Sequence, residues 1–512
     1  MRSDASCLIP KILAAYTLGL SLLAFTSIAL PTAIYDAELD FVEGFMIYNG
    51  LDILRGSAYR GFPYVYPYPP LAYIASAVSV LGGSSCPIVG CRVLALVFSS
   101  AILFLAWLEA RGGSARLVAP AMISLSPVFL YWAPLCRADQ LATLLSLISV
   151  ALASRGIFGL SALSASLALF SKQTYIAAPL SILIYLLLSG RGREAARYAA
   201  LLMLYSIALY APLILFSKDA LNHLLFYNLH SIDLLNPLRI MRGAFQDGFW
   251  IIYLVALVLS FRRVREDPYA IYYVLSFALA SILALKVGAN TNYFFETCAV
   301  GGILVAREIS RIRRGFGLSL LCLILIASIA IAPPTSLLDR VGDPNLVTES
   351  RSVAEAIKGF RLIASEDAYI AVLSGSRLMV EPFIYRQLVA GWAVEDVLTE
   401  AVKRFALDAG IFRWMDPERF TRNFTITLLT RYNCVRTQYY MLCVKPWANV
   451  SLEDTFHYDP LLAIQQKALT ISRIILVFEI WISLLSIFSL PLLIAYWWRA
   501  YEARSDRASS DI

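Results

Sequence analysis

The chain has 512 residues, of which 59% are hydrophobic and only 15% charged, against roughly 25% charged in a soluble globular protein. Too few polar side chains remain to cover a water-soluble surface, so the composition excludes a soluble nucleotide-dependent enzyme and implies a polytopic membrane protein. The excess of 43 Lys and Arg over 36 Asp and Glu does not argue for nucleic acid, because the arginines cluster between apolar runs, where they record membrane orientation.

A helix rises ~1.5 Å per residue and the hydrocarbon core is ~30 Å thick, so spans need roughly 17–25 residues, fewer inside a bundle. The apolar runs predict a mainly α chain of about twelve transmembrane helices, near 10–31, 92–109, 117–135, 140–153, 157–170, 174–189, 197–217, 248–261, 268–285, 293–306, 316–332 and 471–498. The first follows Arg2 and Lys11 without a small-residue cleavage site and reads as an anchor helix. The runs 140–153 and 157–170 are short, and if both are re-entrant the sidedness of every other loop is unchanged. Leu71–Gly83 is too short to cross, and counting it as a span would invert every later loop; it reads as a helix lying at the outer surface.

With the N-terminus in the cytoplasm, the inner side collects Arg111, Arg116, Arg155, the arginines within 191–197, 262–265 and 307–314, and Arg499, Arg504 and Arg507. With Arg2 and Lys11 that makes 18 basic residues inside against nine in the shorter outer loops, as the positive-inside rule requires. Both termini are then cytoplasmic in a plasma-membrane protein. The implied organisation is a transmembrane module over 1–332 with a large outer loop 32–91, a small extracytoplasmic α/β domain over 333–470, a final span 471–498 and a tail 499–512. In 333–470, strand-like runs Ala368–Leu373, Phe424–Leu429 and Tyr439–Val444 alternate with helical patterns Ser350–Ile363 and Val394–Ala406. Asn423 and Asn449 open glycosylation acceptor patterns there. Eight cysteines without a CxxC pair do not indicate a zinc cluster. Cys86 with Cys91 and Cys434 with Cys443 are the candidate outer disulfides, the second across a hairpin; buried thiols are the alternative.

Ionisable groups are costly at membrane depth, so their position along the spans is informative. They gather at the outer ends: Asp36, Glu38, Asp40 and Glu43 after the first span, Arg137 and Asp139 before the fourth, Lys172 and Gln173 after the fifth, and Lys286, Asn290, Asn292, Tyr293 and Glu296 around the start of the tenth. One composite outer site would hold them all. Asp40 and Glu43, three apart, share a face of a helical turn, where like charges raise one pKa unless a cation or metal lies between. Such a pair suits a general base, and a solvated acidic loop is the plain alternative. Arg137 and Asp139 either serve the site or simply pair at a helix end, and Lys172 either serves it or snorkels. The segment Pro63–Pro70, with Tyr64, Tyr66 and Tyr68, either anchors the chain at headgroup level or walls a lipid or sugar site. His223 and His230 have no diagnostic metal-ligand spacing.

These elements together resemble the GT-C membrane glycosyltransferases, in particular the Rgt-type and protein-O-mannosyltransferase-like branch. Asp40-Phe-Val-Glu-Gly44 is similar to the acidic D-(Y/F)-x-E-G element of that group's first outer loop, and Leu54–Tyr59 and Tyr68–Tyr73 follow it. Arg137-Ala-Asp139 opens a span, Ser171-Lys-Gln-Thr174 closes one, Asn290–Glu296 precedes another, and Ser365–Gly375 looks like the start of the outer domain. The likeness covers roughly residues 10–445, and its strength lies in the order and common sidedness of short motifs.

The resemblance implies transfer of a sugar from a polyprenyl-phosphate-linked donor to a hydroxyl acceptor, whether lipid, glycan or protein, on the outer face and with inversion. It implies Asp40, or Glu43, as catalytic base; Arg137, Lys172 and Gln173 at the donor phosphate; and Asp139, Tyr66, Tyr68, Asn292, Tyr293 and Glu296 around substrate. No nucleic acid is a partner, membrane lipids surround the chain, and a divalent metal is permitted but not demanded. The family often shows an adjacent Asp-Glu pair in this loop, whereas the acids here are spaced, which leaves the identity of the base open. The rival class is a polytopic transporter or flippase of a lipid-linked sugar without transferase activity; Arg473 and Glu479 are the clearest charges within a span that it would use.

Overall fold

A computed structural model of the chain describes residues 4–81, 86–110, 112–228, 231–240, 250–309, 316–331, 338, 341, 343–391, 394–416, 419–448, 450, 464, 467–483 and 485–486. Arg2, Arg111, Arg311, Arg313, Arg314, His230, Asn449, the last apolar run beyond 486 and the tail 499–512 lie outside the described residues.

Helices form along the apolar runs: α1 (Asp4–Ile34), α2 (Phe41–Leu54), α3 (Pro70–Leu81), α4 (Pro87–Glu109), α5 (Ala115–Leu125), α6 (Pro127–Trp132), α7 (Asp139–Ala153), α8 (Phe158–Ser171), α9 (Ala177–Leu188), α10 (Gly192–Phe216), α11 (Trp250–Arg263), α12 (Pro268–Leu283), α13 (Phe295–Ile309) and α14 (Phe316–Ile331). Among the described residues, Pro10–Ile34, Pro87–Glu109 and Gly192–Phe216 are long and apolar enough to cross a membrane by length and composition, and six more apolar helices are shorter. The single run expected at 117–135 is split, because Ser126 precedes Pro127 and adopts extended backbone with ψ 129°, as a residue before proline prefers. The bundle buries one core of small and aliphatic side chains, with Ala119, Ile123, Phe129, Phe295, Val300 and Ile303 fully enclosed.

The C-terminal part carries a five-stranded sheet in the order β2-β1-β3-β5-β4. Its strands are β1 (Leu362–Ser365), β2 (Arg377–Leu378), β3 (Ala409–Phe412), β4 (Asn433–Arg436) and β5 (Met441–Val444). β1 pairs in parallel with β2 and β3, whereas β5 runs antiparallel to both β3 and β4. Helices α15 (Pro344–Ala356), α16 (Ala368–Ser374), α17 (Pro382–Gly391), α18 (Val397–Lys403) and α19 (Arg422–Arg431) pack around it. Two runs read as strands are therefore helices. Asp367 caps α16 by accepting from the Tyr369 N–H, and Thr421 caps α19 by accepting from the Phe424 N–H. In α19, Phe424 and Leu428 are four apart and both fully buried; that helical face outweighs the β propensity of its Thr-Ile-Thr run. The helical pattern of Ser350–Ile363 ends early, its last residues forming part of β1.

Cys434 and Cys443 face each other across β4 and β5 and are bonded. The other expected pair does not form. Cys86 stands just before α4 and accepts a hydrogen bond from Arg351 at 3.2 Å, while Cys91 lies inside α4 and bonds to Cys136. Cys86 thus lies ahead of the helix and meets Arg351, whereas Cys91, one turn into it, meets Cys136.

Candidate active site

The acidic motif opens α2. Asp40 is its N-cap: Oδ1 accepts from the Val42 N–H at 3.1 Å, and Glu43 Oε2 reaches back to the N–H groups of Leu39 and Asp40 at 2.9 and 3.2 Å. The spacing of three that places two like charges together is thus also a capping box. Cations separate the pair. Fully buried Arg92 grips Glu43 with Nε and Nη2 at 2.7 and 2.6 Å and uses its remaining donors on the carbonyls of Thr32, Tyr35 and Ala37, while the Cys136 N–H donates to Glu43 Oε1 at 2.9 Å. Burial alone would raise the Glu43 pKa, but the Arg92 charge and these hydrogen bonds overcome it and hold the carboxyl below its ordinary value. Gly44 completes the motif for a steric reason: a Cβ there would lie 2.4 Å from the backbone nitrogen of Tyr369.

Of the four loop acids, Asp40 faces open space. Asp36 pairs with Arg351 at 2.5 Å and accepts from the Tyr369 hydroxyl at 2.6 Å, and Glu38 is enclosed, accepting from the Gly44 N–H at 2.8 Å. Asp40 pairs with Arg137, whose guanidinium lies over the Trp132 ring at 4.8 Å. Arg137 Nε stands 3.5 Å from Asp139, and Asp139 in turn pairs with Lys172 at 2.6 Å. The sequence order Asp40, Arg137, Asp139, Lys172 thereby becomes an alternating ladder of charge, built from the starts of α2 and α7 and the end of α8. Asn292 donates to Asp139 at 3.3 Å, and the Tyr293 ring lies 5.0 Å from Lys172 Nζ.

The ladder lines a cleft of about 210 Å³, open to solvent. Asp40, Arg137, Lys172, Gln173, Tyr68, Asn292 and Tyr293 all reach its wall. Glu43, Asp139, Tyr66 and Glu296 do not line it. Tyr66 donates to Asp52 at 2.7 Å, and Glu296 accepts from the Tyr272 hydroxyl at 2.7 Å. Gln173 Nε2 is tied to the Pro67 carbonyl at 2.8 Å, fixing the proline-tyrosine segment as one side of the cleft. His223 holds the same segment from behind: Nε2 lies 2.7 Å from the Arg60 carbonyl, and the Tyr66 N–H donates to Nδ1 at 3.3 Å. With both ring nitrogens engaged and burial keeping its pKa below the ordinary value, His223 is a structural pin, not a metal ligand.

Two cleft residues received no role from sequence. Lys286, in the loop after α12, forms no ion pair among the described residues. Burial, and then the like charge of Lys172, lower its pKa to about 8. Glu381 arrives from the sheet segment at the start of α17, where it accepts from the Ile384 N–H at 2.6 Å; burial raises it to about 7. The only trace of Glu381 in the sequence is an acid before Pro382, a helix-start signal. The tight fit that brings it in depends on Gly288 at φ 78°, where a Cβ would collide with the Phe383 ring at 2.2 Å.

Asp40 and Glu381 are the acids that line the cleft, and they come from different segments, while the neighbouring Glu43 and Asp139 are held by Arg92 and Lys172. This donor set does not fit a divalent ion in a carboxylate cage; among the described residues no group of three or more His, Cys, Asp or Glu is poised to hold a metal.

No protein-family profile matches the chain, and no characterised protein matches it in sequence. Its fold is similar to that of solved GT-C glycosyltransferases. ArnT from Cupriavidus metallidurans, solved bound to undecaprenyl phosphate, aligns with a TM-score of 0.59 at 13% identity, covering 84% of this chain and 97% of that one. The oligosaccharyltransferase of Archaeoglobus fulgidus, in complex with zinc and sulfate, aligns at 0.52 and 12% identity over 84% of this chain and 73% of that one. The same organism's AglB, in complex with an inhibitory peptide and a dolichol-phosphate, aligns at 0.52 and 10% identity over 88% and 77%. At such identities the likeness establishes a shared fold.

Proposed function

We propose that this cleft is the active site of a membrane glycosyltransferase that moves a sugar from a polyprenyl-phosphate donor to a hydroxyl acceptor with inversion. The reading rests above all on the ladder of Asp40, Arg137, Asp139 and Lys172 beside Lys286. Among the described residues Lys172 makes one hydrogen bond, to Asp139, and an ammonium has three donors, so the remainder are available to a phosphate. Asp40 Oδ1 is engaged by Val42 and Arg137, and Oδ2 accepts no hydrogen bond among the described residues.

The acceptor oxygen attacks the anomeric carbon as the bond from that carbon to the phosphate oxygen breaks. The acceptor proton passes to Asp40. The electron pair leaves with the phosphate, whose charge Lys172, Lys286 and Arg137 stabilise without any change of position. Both oxygens of Glu43 are already filled, so the base role falls to Asp40. Asp139 orients the two cations, Gln173 shapes the phosphate end, and Tyr68, Asn292 and Tyr293 offer hydrogen bonds and ring faces to sugar. Tyr66 and Glu296 support the wall from behind. The arginine distribution supports about twelve spans with both termini cytoplasmic and the cleft on the outer face, and lipid, glycan or protein as acceptor.

One observation favours carriage of a lipid-linked sugar instead: Glu479, in the helical residues 467–483, is fully buried and neither carboxylate oxygen has a hydrogen-bond partner among the described residues. The deciding experiment follows radiolabelled sugar from polyprenyl-phosphate donors into membrane acceptors, with purified wild type, Asp40→Asn and Lys172→Ala. Label in a new product with wild type only supports transfer at this cleft. Folded, lipid-binding protein that transfers nothing from any donor points to carriage.

A further inference from the structure

The sheet segment holds a second cavity, of about 330 Å³ and open to solvent, at the carboxyl ends of the parallel strands β1 and β3. Glu366 directly follows β1, and the loop after β3 folds across the strand ends. Open α/β sheets place their ligands in this crevice. The lining combines Phe412, Phe420 and Ile426 with two arginines, Arg386 from α17 and Arg422 from α19.

The acids in the lining are already engaged. Glu366 accepts from the backbone N–H groups of Arg413, Trp414, Met415 and Asp416 at 2.8, 2.7, 3.0 and 3.2 Å, which ties the loop down. Asp416 lies 3.5 Å from Arg419. Arg386 and Arg422, by contrast, form no ion pair among the described residues. Arg422 is moreover the first residue of α19, where the helix dipole disfavours a cation. A bound anion would remove that conflict, meeting two planar guanidinium forks and the helix N-terminus together.

We propose that this cavity is a second binding site that takes an acidic sugar unit, its carboxylate against Arg386 and Arg422 and its ring face on Phe412, Phe420 and Ile426. The choice of a sugar rests on the transferase reading. α17 joins the two sites: Phe383 and Ile384 line the cleft, and Arg386, one turn on, lines the second cavity. A glycan acceptor bearing a uronate would run along this helix from one to the other.

The test titrates trigalacturonate, with neutral maltotriose as control, into the full-length protein in detergent by calorimetry. Saturable binding of trigalacturonate is expected, at least about tenfold tighter than maltotriose, weakened about tenfold by Arg386→Ala or Arg422→Gln and unchanged by Lys172→Ala. Arg422 is exposed, so its variant should keep the wild-type melting transition even if Arg386→Ala does not. Equal binding of maltotriose, indifference to Arg422→Gln, loss in Lys172→Ala alone, or equally tight binding of a tetra-aspartate peptide each overturns the site or its sugar assignment. Sugar transfer is read separately: arginine-dependent binding without transfer leaves this site and removes the transferase reading, and transfer without such binding does the reverse.

Discussion

Four helices carry polar and charged groups at both ends, and the two ends are built differently. At one end, Glu109 closes α4, Arg155 follows α7, Asp267 caps α12 and Arg307 sits near the end of α13. There Arg307 grips Asp267 at 2.9 and 3.0 Å and the Glu109 carboxylate and carbonyl at 2.9 and 2.7 Å, Arg155 adds a contact to Glu109 at 2.6 Å, and the Arg307 guanidinium covers the Tyr269 ring at 4.0 Å. At the opposite end the same helices present Arg92, Asp139, Lys286 and, beside α13, Asn292. Arg92 is saturated, but among the described residues Lys172 uses one donor, Lys286 has no counter-ion and Asp40 keeps one oxygen open. A saturated buried ion network holds helices in register and adds little net stability. An unsaturated one facing a cleft is completed by whatever binds there, so charge alone does not mark a site; unfilled charge does.

Arg307→Ala should give the largest effect, because it leaves Asp267 buried without its cation and Glu109 with only the half-exposed Arg155: about 3–5 kcal/mol of stability lost, read as a fall in melting temperature. A wild-type melt would end the contrast at its structural end. Lys172→Ala should cut sugar transfer by about 100-fold while lowering the melting temperature less than Arg307→Ala does; equal destabilisation would make the two ends alike. A smaller effect concerns pH. Lys286, held near 8 by burial and by Lys172, is charged below that value and neutral above it. Affinity for undecaprenyl phosphate, measured by thermal shift, should therefore fall by up to about tenfold as pH rises through 8, and Lys286→Met should bind weakly with no such step. Smallest is Arg155→Ala. Its side chain is 52% exposed, so its loss should cost less than about 1 kcal/mol by denaturant melt, although it touches the same Glu109.

The parts legible in the sequence were those with local causes. Apolar runs marked the helices, and the clustering of Asp40, Arg137, Lys172 and Asn292 at matching ends marked the neighbourhood now seen as one cleft. The readings that failed depended on competition between local signals or on distant partners. Ala368–Leu373 alternates like a strand, yet the cap at Asp367 and burial against the sheet make it a helix. Cys91 found Cys136, brought from far along the chain, rather than the nearer Cys86, which meets Arg351 ahead of α4. Arg92, which no motif singled out, proved to be a buried clamp, and Glu381 had no signal beyond a proline behind it.

Composition and the spacing of apolar runs, by themselves, determined that this chain is a helical membrane protein and that its polar groups collect at helix ends, since the cost of burying charge in hydrocarbon acts on every segment separately. Tertiary structure decided which of Asp36, Glu38, Asp40 and Glu43 reaches the wall of the cleft. Each lies in the same short loop with the same functional group, and what distinguishes them is the partner that folding brings from far along the chain: Arg351 to Asp36, Arg92 to Glu43, and to Asp40 an arginine that leaves one oxygen facing the cleft.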